Sequence, residues 1–347
     1  MSKLGSHHQR VTDAGLAWAK VAGLVKVLPD DARALDVADP RAIKIFRLNP
    51  NPPLEEHGAS VVDRTLAMLS PARWGYPNLY IQILNEEDQR LGDGLERRVE
   101  QHREAVDRLA ELGLDIGIAG YGFSVGQPER AEWDYLRFHG YGGVKAVILN
   151  QYFPKTGDTN FNDYLWTALR HRLVHEWTEG DHPPFIGGEG GVDAVYGSLP
   201  GWRINELSPE QFIIQLQTLD RYLQEDDYFL GEAIFISGAY WQWWNFEVDG
   251  LKLEQYFYIE EETMWDRHQA FSDWFKAGGA QGYNPDTAIG QFRAQHPELG
   301  VPLGGEIDYG DCVVQWFSGG IVYSEKNTWK TGMARTEEEL PVSFPLP

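Results

Sequence analysis

Eight short apolar runs, each followed by a helical stretch or a turn-rich link, constrain this chain more than any other feature. The runs fall at residues 3–8, 24–28, 42–48, 78–85, 114–121, 144–152, 184–189 and 232–243. Between them lie patterns such as TDAGLAWAKVAG, ASVVDRTLAMLS and SPEQFIIQLQTLDRYLQED, several opening on Thr, Ser or Asp and closing on Gly, as helix ends prefer. Strands joined by helical crossovers run parallel. Eight such units in about 245 residues match the size of a closed (β/α)8 barrel. The competing open doubly wound sheet would carry a G-x-G-x-x-G turn after its first strand, and KLGSHHQR followed by TDAGLAW offers none. The second unit is the thinnest, since PDDARALDVADP makes at best a short helix.

After about residue 280 the texture turns rich in Gly, Pro and short β-prone runs. A barrel over residues 1–279 and a small β-rich appendage over 280–347 are therefore expected. Within the appendage, VVQWF-SGG-IVYSE reads as a β-hairpin.

Composition narrows the function. Thirty basic against 52 acidic side chains give a net charge of −22, a field that repels phosphate backbones and anionic lipid, so nucleic acid is not an expected partner. No run approaches the roughly 18 apolar residues of a membrane span, so membrane insertion is not expected. MSKLGSHHQRV lacks the apolar core of a secretory signal. The expected location is thus cytoplasmic or reached by lysis, or outside the cell if the sequence is trimmed. Cys312, the single cysteine, permits no internal disulfide and no thiolate metal site, and reads as a small buried hydrophobe. The 13 Trp and 16 Tyr can stack on sugar faces while their N–H and O–H groups bond hydroxyls.

In a barrel of this kind the working groups stand at the carboxyl ends of the strands. There the sequence places His7 and His8, Arg47, Asn85 and Glu86, Tyr121, Asn150 and Tyr152, Glu189, and Trp241 and Trp243. Nearly all are polar or aromatic, a set suited to a hydroxylated ligand. Neither His7 nor His8 has H-x-H or H-E-x-x-H company, so substrate hydrogen bonding or a structural role is expected of them, and no metal or cofactor. Glu86 and Glu189 come from strands four and seven, on opposite sides of the barrel, and would point into one cleft. Paired acids flanking a bond are what glycoside cleavage requires.

An Asn-Glu pair ending strand four, a Glu ending strand seven, a Tyr after strand six and a Trp ending strand eight resemble the pattern of clan A of the glycoside hydrolases, retaining (β/α)8 enzymes. The resemblance covers residues 1 to about 250. It implies that Glu86 is the general acid/base and Glu189 the nucleophile. Asn85 would bond the sugar 2-hydroxyl, Tyr152 would orient Glu189, Arg47 would hold Glu189 ionised, and Trp241 or Trp243 would form the sugar platform. Asn150 departs from the pattern, standing where many members have His.

LGVPLGGE and VVQWFSGGIVYS resemble LGFP-type repeats of bacterial envelope proteins, which implies contact between the appendage and cell-wall glycan. The expected activity is retaining hydrolysis of a poly- or oligosaccharide. A peptidoglycan-cleaving lysin and a glycan-binding barrel without activity are the alternatives.

Overall fold

The computed structural model describes residues 2–30, 32–86, 90–92, 94–155, 160–195 and 198–259, and beyond them chiefly four strands. The chain divides into two compact units, Met1–Ile259 and Glu260–Pro347. The expected boundary at 279/280 lies outside the described residues.

The first unit is a closed barrel of eight parallel strands in chain order. These are β1 (Leu4–His8), β2 (Leu24–Val27), β3 (Ile43–Arg47), β4 (Leu79–Gln82), β5 (Gly117–Phe123), β6 (Ala146–Phe153), β7 (Phe185–Val192) and β8 (Phe229–Ser237). Closure comes from β1 pairing β8, with Leu4 opposite Glu232 and Ser6 opposite Ile234. Among the described residues, seven α-helices follow the first seven strands: α1 (Asp13–Val21), α2 (Arg33–Val37), α3 (Gly58–Met68), α4 (Leu95–Glu111), α5 (Arg130–Phe138), α6 (Arg170–Trp177) and α7 (Pro209–Gln224). Local chemistry sets their ends. Thr12 caps α1 through its side chain, and Ser208 with Gln211 forms a reciprocal capping box on α7, with Pro209 in the first turn. The helix after β2 is five residues long, as PDDARALDVADP leads one to expect.

Period-two alternation sorts the strands into two layers. Val25, Phe46, Val147 and Leu149 face outward and pack with Trp18, Leu66, Val99, Leu109 and Leu219 of the helices. Leu24, Ile45, Ala119, Ala146, Ile148, Ile186 and Ala233 fill the barrel interior. Continuing the same inward faces toward the carboxyl ends, apolar residues give way to polar ones: Leu24 to Lys26, Ile45 to Arg47, and Ile148 to Asn150 and Tyr152. The interior is thus a dry plug beneath a polar floor.

Two strand ends differ from expectation. β4 stops at Gln82, so Asn85 and Glu86 stand on the loop beyond it. β8 stops at Ser237, where Gly238 takes φ +66°, and Trp241–Trp243 form a 3-10 turn rather than strand. In the second unit, β9 (Ile307–Tyr309), β10 (Cys312–Phe317), β11 (Gly320–Glu325) and β12 (Thr331–Ala334) form an antiparallel sheet in the order β12-β11-β10-β9. The expected hairpin is β10 with β11, Val314 opposite Tyr323. LGVPLGGE lies outside the described residues.

Candidate active site

Glu189 owes its aim to an irregularity in β7. Leu149 of β6 pairs Gly187 and Asn150 pairs Glu189, so Gly188 is an extra residue without a partner across the ladder. Such a bulge re-aims the side chain beside it. Here it sends Glu189 inward beside Asn150. Glycine is required at 188 because a Cβ there would collide with Ile148 Cγ2 and approach Asn150 Oδ1 to 2.9 Å. Gly187 and Gly190 leave room on the outer face for the buried carboxyl of Glu232, which accepts from Gln151 Nε2 at 3.0 Å.

Both Glu189 oxygens are held. Arg47 Nη1 donates to Oε1 at 2.6 Å, and the Tyr152 hydroxyl donates to Oε2 at 3.1 Å. Burial, reinforced by the charge of Glu189, raises the Tyr152 pKa well above its usual value, so the phenol keeps the proton it donates. A second cation, Lys26, has Nζ 3.6 Å from Glu189 Oε1. Charge-assisted bonds from two sides fix the carboxylate more firmly than neutral ones would.

Glu86 is exposed and its backbone takes φ +55°, a region non-glycine residues seldom occupy. Its N–H donates to the carbonyl of Gly122 at 2.5 Å. That carbonyl is presented by a second irregular stretch, where Tyr121 and Gly122 both have positive φ and β5 shifts register against β6. Asn85 is buried: its N–H donates to Asn51 Oδ1 at 3.0 Å, Asn51 returns a bond to the Asn85 carbonyl at 2.8 Å, and Gln82 Nε2 donates to Asn85 Oδ1 at 3.1 Å. Asn150 Nδ2 donates to Glu86 Oε1 at 3.4 Å. Asn150 is also the register partner of Glu189. Asn150 thus contacts one acid through its side chain and neighbours the other across the ladder.

Glu86, Glu189, Asn85, Tyr152, Arg47, His7 and Trp243 line one cleft of about 450 Å3. Neither ring nitrogen of His7 has a hydrogen-bond partner among the described residues. Burial above all, then the charges of Lys26 and Arg47, holds its pKa well below 6.5, so the ring is neutral with one donor and one acceptor to offer a ligand. Asp193 also lines the cleft, its pKa raised by burial and by Glu189. Phe235, on β8 itself, stands at 5.3 Å from the His7 ring and edge-on to Trp243 at 5.5 Å. It shares the cleft lining with Trp243, one of the two tryptophans expected to form the platform.

Other expected residues lie elsewhere. His8 bonds Ser6 Oγ through Nε2 at 2.8 Å and turns its ring toward Gly15 of α1. Tyr121 is stacked between His102 and Phe123, at 4.3 and 5.2 Å, in the layer between β5 and α4. Trp241 is 84% exposed, outside the cleft lining. Lys26, Phe235 and Asp193 were not anticipated. The one signal for Lys26 is its place in LVKVL, a cation on an otherwise apolar strand.

The fold and site together define a (β/α)8 barrel with two glutamates converging on one cleft. No protein-family model matches the chain, and no curated protein is similar to it. Among solved structures, it is similar to a GH128 (subgroup II) endo-β-1,3-glucanase from Sorangium cellulosum, with 12% identity over 75% of this chain and 99% of that one, at a TM-score of 0.48. A GH2 β-galacturonidase from Eisenbergiella tayi shares 16% identity over 68% of this chain and 43% of its own, at 0.43. A GH128 (subgroup I) endo-β-1,3-glucanase from Amycolatopsis mediterranei shares 16% identity over 67% of this chain and 88% of its own, at 0.41.

Proposed function

We propose that this chain is a retaining glycoside hydrolase acting on a poly- or oligosaccharide by double displacement. The observation that carries the reading is the convergence of Glu86 and Glu189 on one cleft, with both Glu189 oxygens held and Glu86 anchored through its backbone. Glu189 attacks the anomeric carbon while Glu86 protonates the departing oxygen. Glu86 then takes a proton from water, which displaces the sugar from Glu189. Retention needs the two carboxyl groups about 5–5.5 Å apart. What supports a short interval is Asn150, which touches Glu86 and pairs with Glu189 in register. Asn85 and His7 offer hydrogen bonds to sugar hydroxyls, and Phe235 and Trp243 offer apolar faces.

The test is hydrolysis of a panel of bacterial and plant polysaccharides, peptidoglycan included, by the wild type and by Glu86→Gln and Glu189→Gln. The expected result is turnover of at least one polymer, with the Glu86 variant slower by roughly 10²–10⁴-fold, the range of general acid–base catalysis. Glu189→Gln should lose at least as much. Binding to a polymer that survives both substitutions with no turnover by the wild type would make the chain a glycan-binding barrel instead.

A further inference from the structure

The bulge that aims Glu189 frees a carbonyl, and the structure shows what takes it. Gly188 has no partner residue across the ladder, and Lys26 Nζ donates to its carbonyl oxygen at 2.7 Å. Lys26 stands on the inward face of β2, one step above Leu24, and is 0% exposed. The ammonium is not part of the cleft lining: it lies beneath the floor, touching the backbone just before Glu189 and reaching Glu189 Oε1 at 3.6 Å.

A lysine buried this fully in a barrel core is costly unless its charge is compensated. A Leu or Met at this position would extend the apolar plug without that cost, and would leave the Gly188 carbonyl unsatisfied. The ammonium brings what they cannot, a donor for the orphan carbonyl and a charge beside the carboxylate. Resting on the reading of Glu189 as nucleophile, we propose that Lys26 is a positioning residue: it locks the Gly188 bulge from below and so fixes the direction of the Glu189 carboxylate. It touches no substrate and acts through Glu189 alone.

The electrostatics fit this geometry. The charged or titratable groups around Lys26 are Glu189 on β7, Arg47 on β3, Glu86 beyond β4, His7 on β1 and Glu232 on β8. Burial lowers the Lys26 pKa from 10.5 to about 7, Glu189 opposes that fall, Arg47 adds to it and Glu86 opposes it weakly. The lysine is therefore charged below about 7 and loses its charge above it.

Two measurements test the proposal together. In protein labelled with [ε-13C]lysine, the Lys26 signal should titrate near 7 in the wild type, and at distinctly lower pH in Glu189→Gln, where the opposing anion is gone. This needs no substrate, so it stands even if the polysaccharide panel returns none and the reading of function falls. On a polymer that the panel does identify, Lys26→Met should lower kcat by about 10²-fold, the cost of a misplaced reacting group, while KM changes less than threefold. Should that variant not fold, Lys26→Gln serves the kinetic measurement. A Lys26 signal indifferent to Glu189→Gln, or full kcat in a folded variant, would overturn the proposal, the second outcome marking Lys26 as a structural residue only.

Discussion

Tyr152 differs from phenylalanine by one oxygen, and that oxygen holds one of the two Glu189 acceptors. Tyr152→Phe leaves the ring's packing against Phe235 and Phe246 in place. It removes a hydrogen bond to a charged group, which is worth about 1.5–3 kcal/mol. A kcat lower by roughly 10- to 100-fold with little change in thermal midpoint is expected, and steady-state kinetics beside a melting curve checks it. His102 supplies the second residue-scale expectation. Its Nδ1 donates to the Arg98 carbonyl at 2.7 Å and its Nε2 accepts from the Tyr121 N–H at 3.1 Å, so a second proton on the ring would point at another donor. Burial lowers its pKa from 6.5 to about 4. The unfolded chain therefore binds the proton between those values, and this contribution to stability is lost as pH falls through that window, by about 3 kcal/mol at most. Urea unfolding at pH 7 and pH 4.5 should show a smaller loss for His102→Gln than for the wild type. At this scale the sequence named both acids because an acid after an apolar run stands out. It hid Lys26, because alternation in LVKVL says which residues share a face but not which face is the interior.

Bulges and turns mark where the backbone departs from the strand period of two. The Gly188 insertion in β7 breaks the period of two, so counting from Ile186 gives Glu189 the wrong face, yet the structure turns it inward. In β5 the register shift between Gly120 and Phe123 leaves Tyr121 against α4, although it stands near a strand end as a pocket residue would. At β8, the aromatic run GAYWQWW has the β-propensity of a strand, but a Cβ at Gly238 would collide with the Arg10 carbonyl and its φ is +66°, so the chain turns there. Phe235, rather than Trp241, is then the strand's aromatic at the cleft. The same reasoning makes Gly188→Ala informative. Crowding Ile148 and Asn150 should cost about 1–3 kcal/mol of stability, as overpacking does, and should lower kcat more than a loss of that size in folded protein can explain. Differential scanning calorimetry with kinetics on the folded fraction separates the two.

Across the whole molecule, the barrel was legible because eight alternations leave few other topologies, while the assembly of the cleft from seven of the strands and their carboxyl ends was legible only in outline. Side chains from β1, β3, β6, β7 and β8 meet residues beyond β2 and β4 at one mouth. Such long-range convergence follows from closure, which no local pattern encodes. The net charge of −22 belongs to this scale too and suits an uncharged polymer better than an anionic one. The central claim is that Glu189 becomes covalently joined to sugar. Once the polysaccharide panel names the sugar, its activated 2-deoxy-2-fluoro glycoside should expel its leaving group and accumulate as a fluoroglycosyl ester of the enzyme, and peptide mass spectrometry should find the added mass on the peptide containing Glu189. Label on any other residue, or turnover that proceeds with an inverted anomer and no covalent adduct, would contradict it.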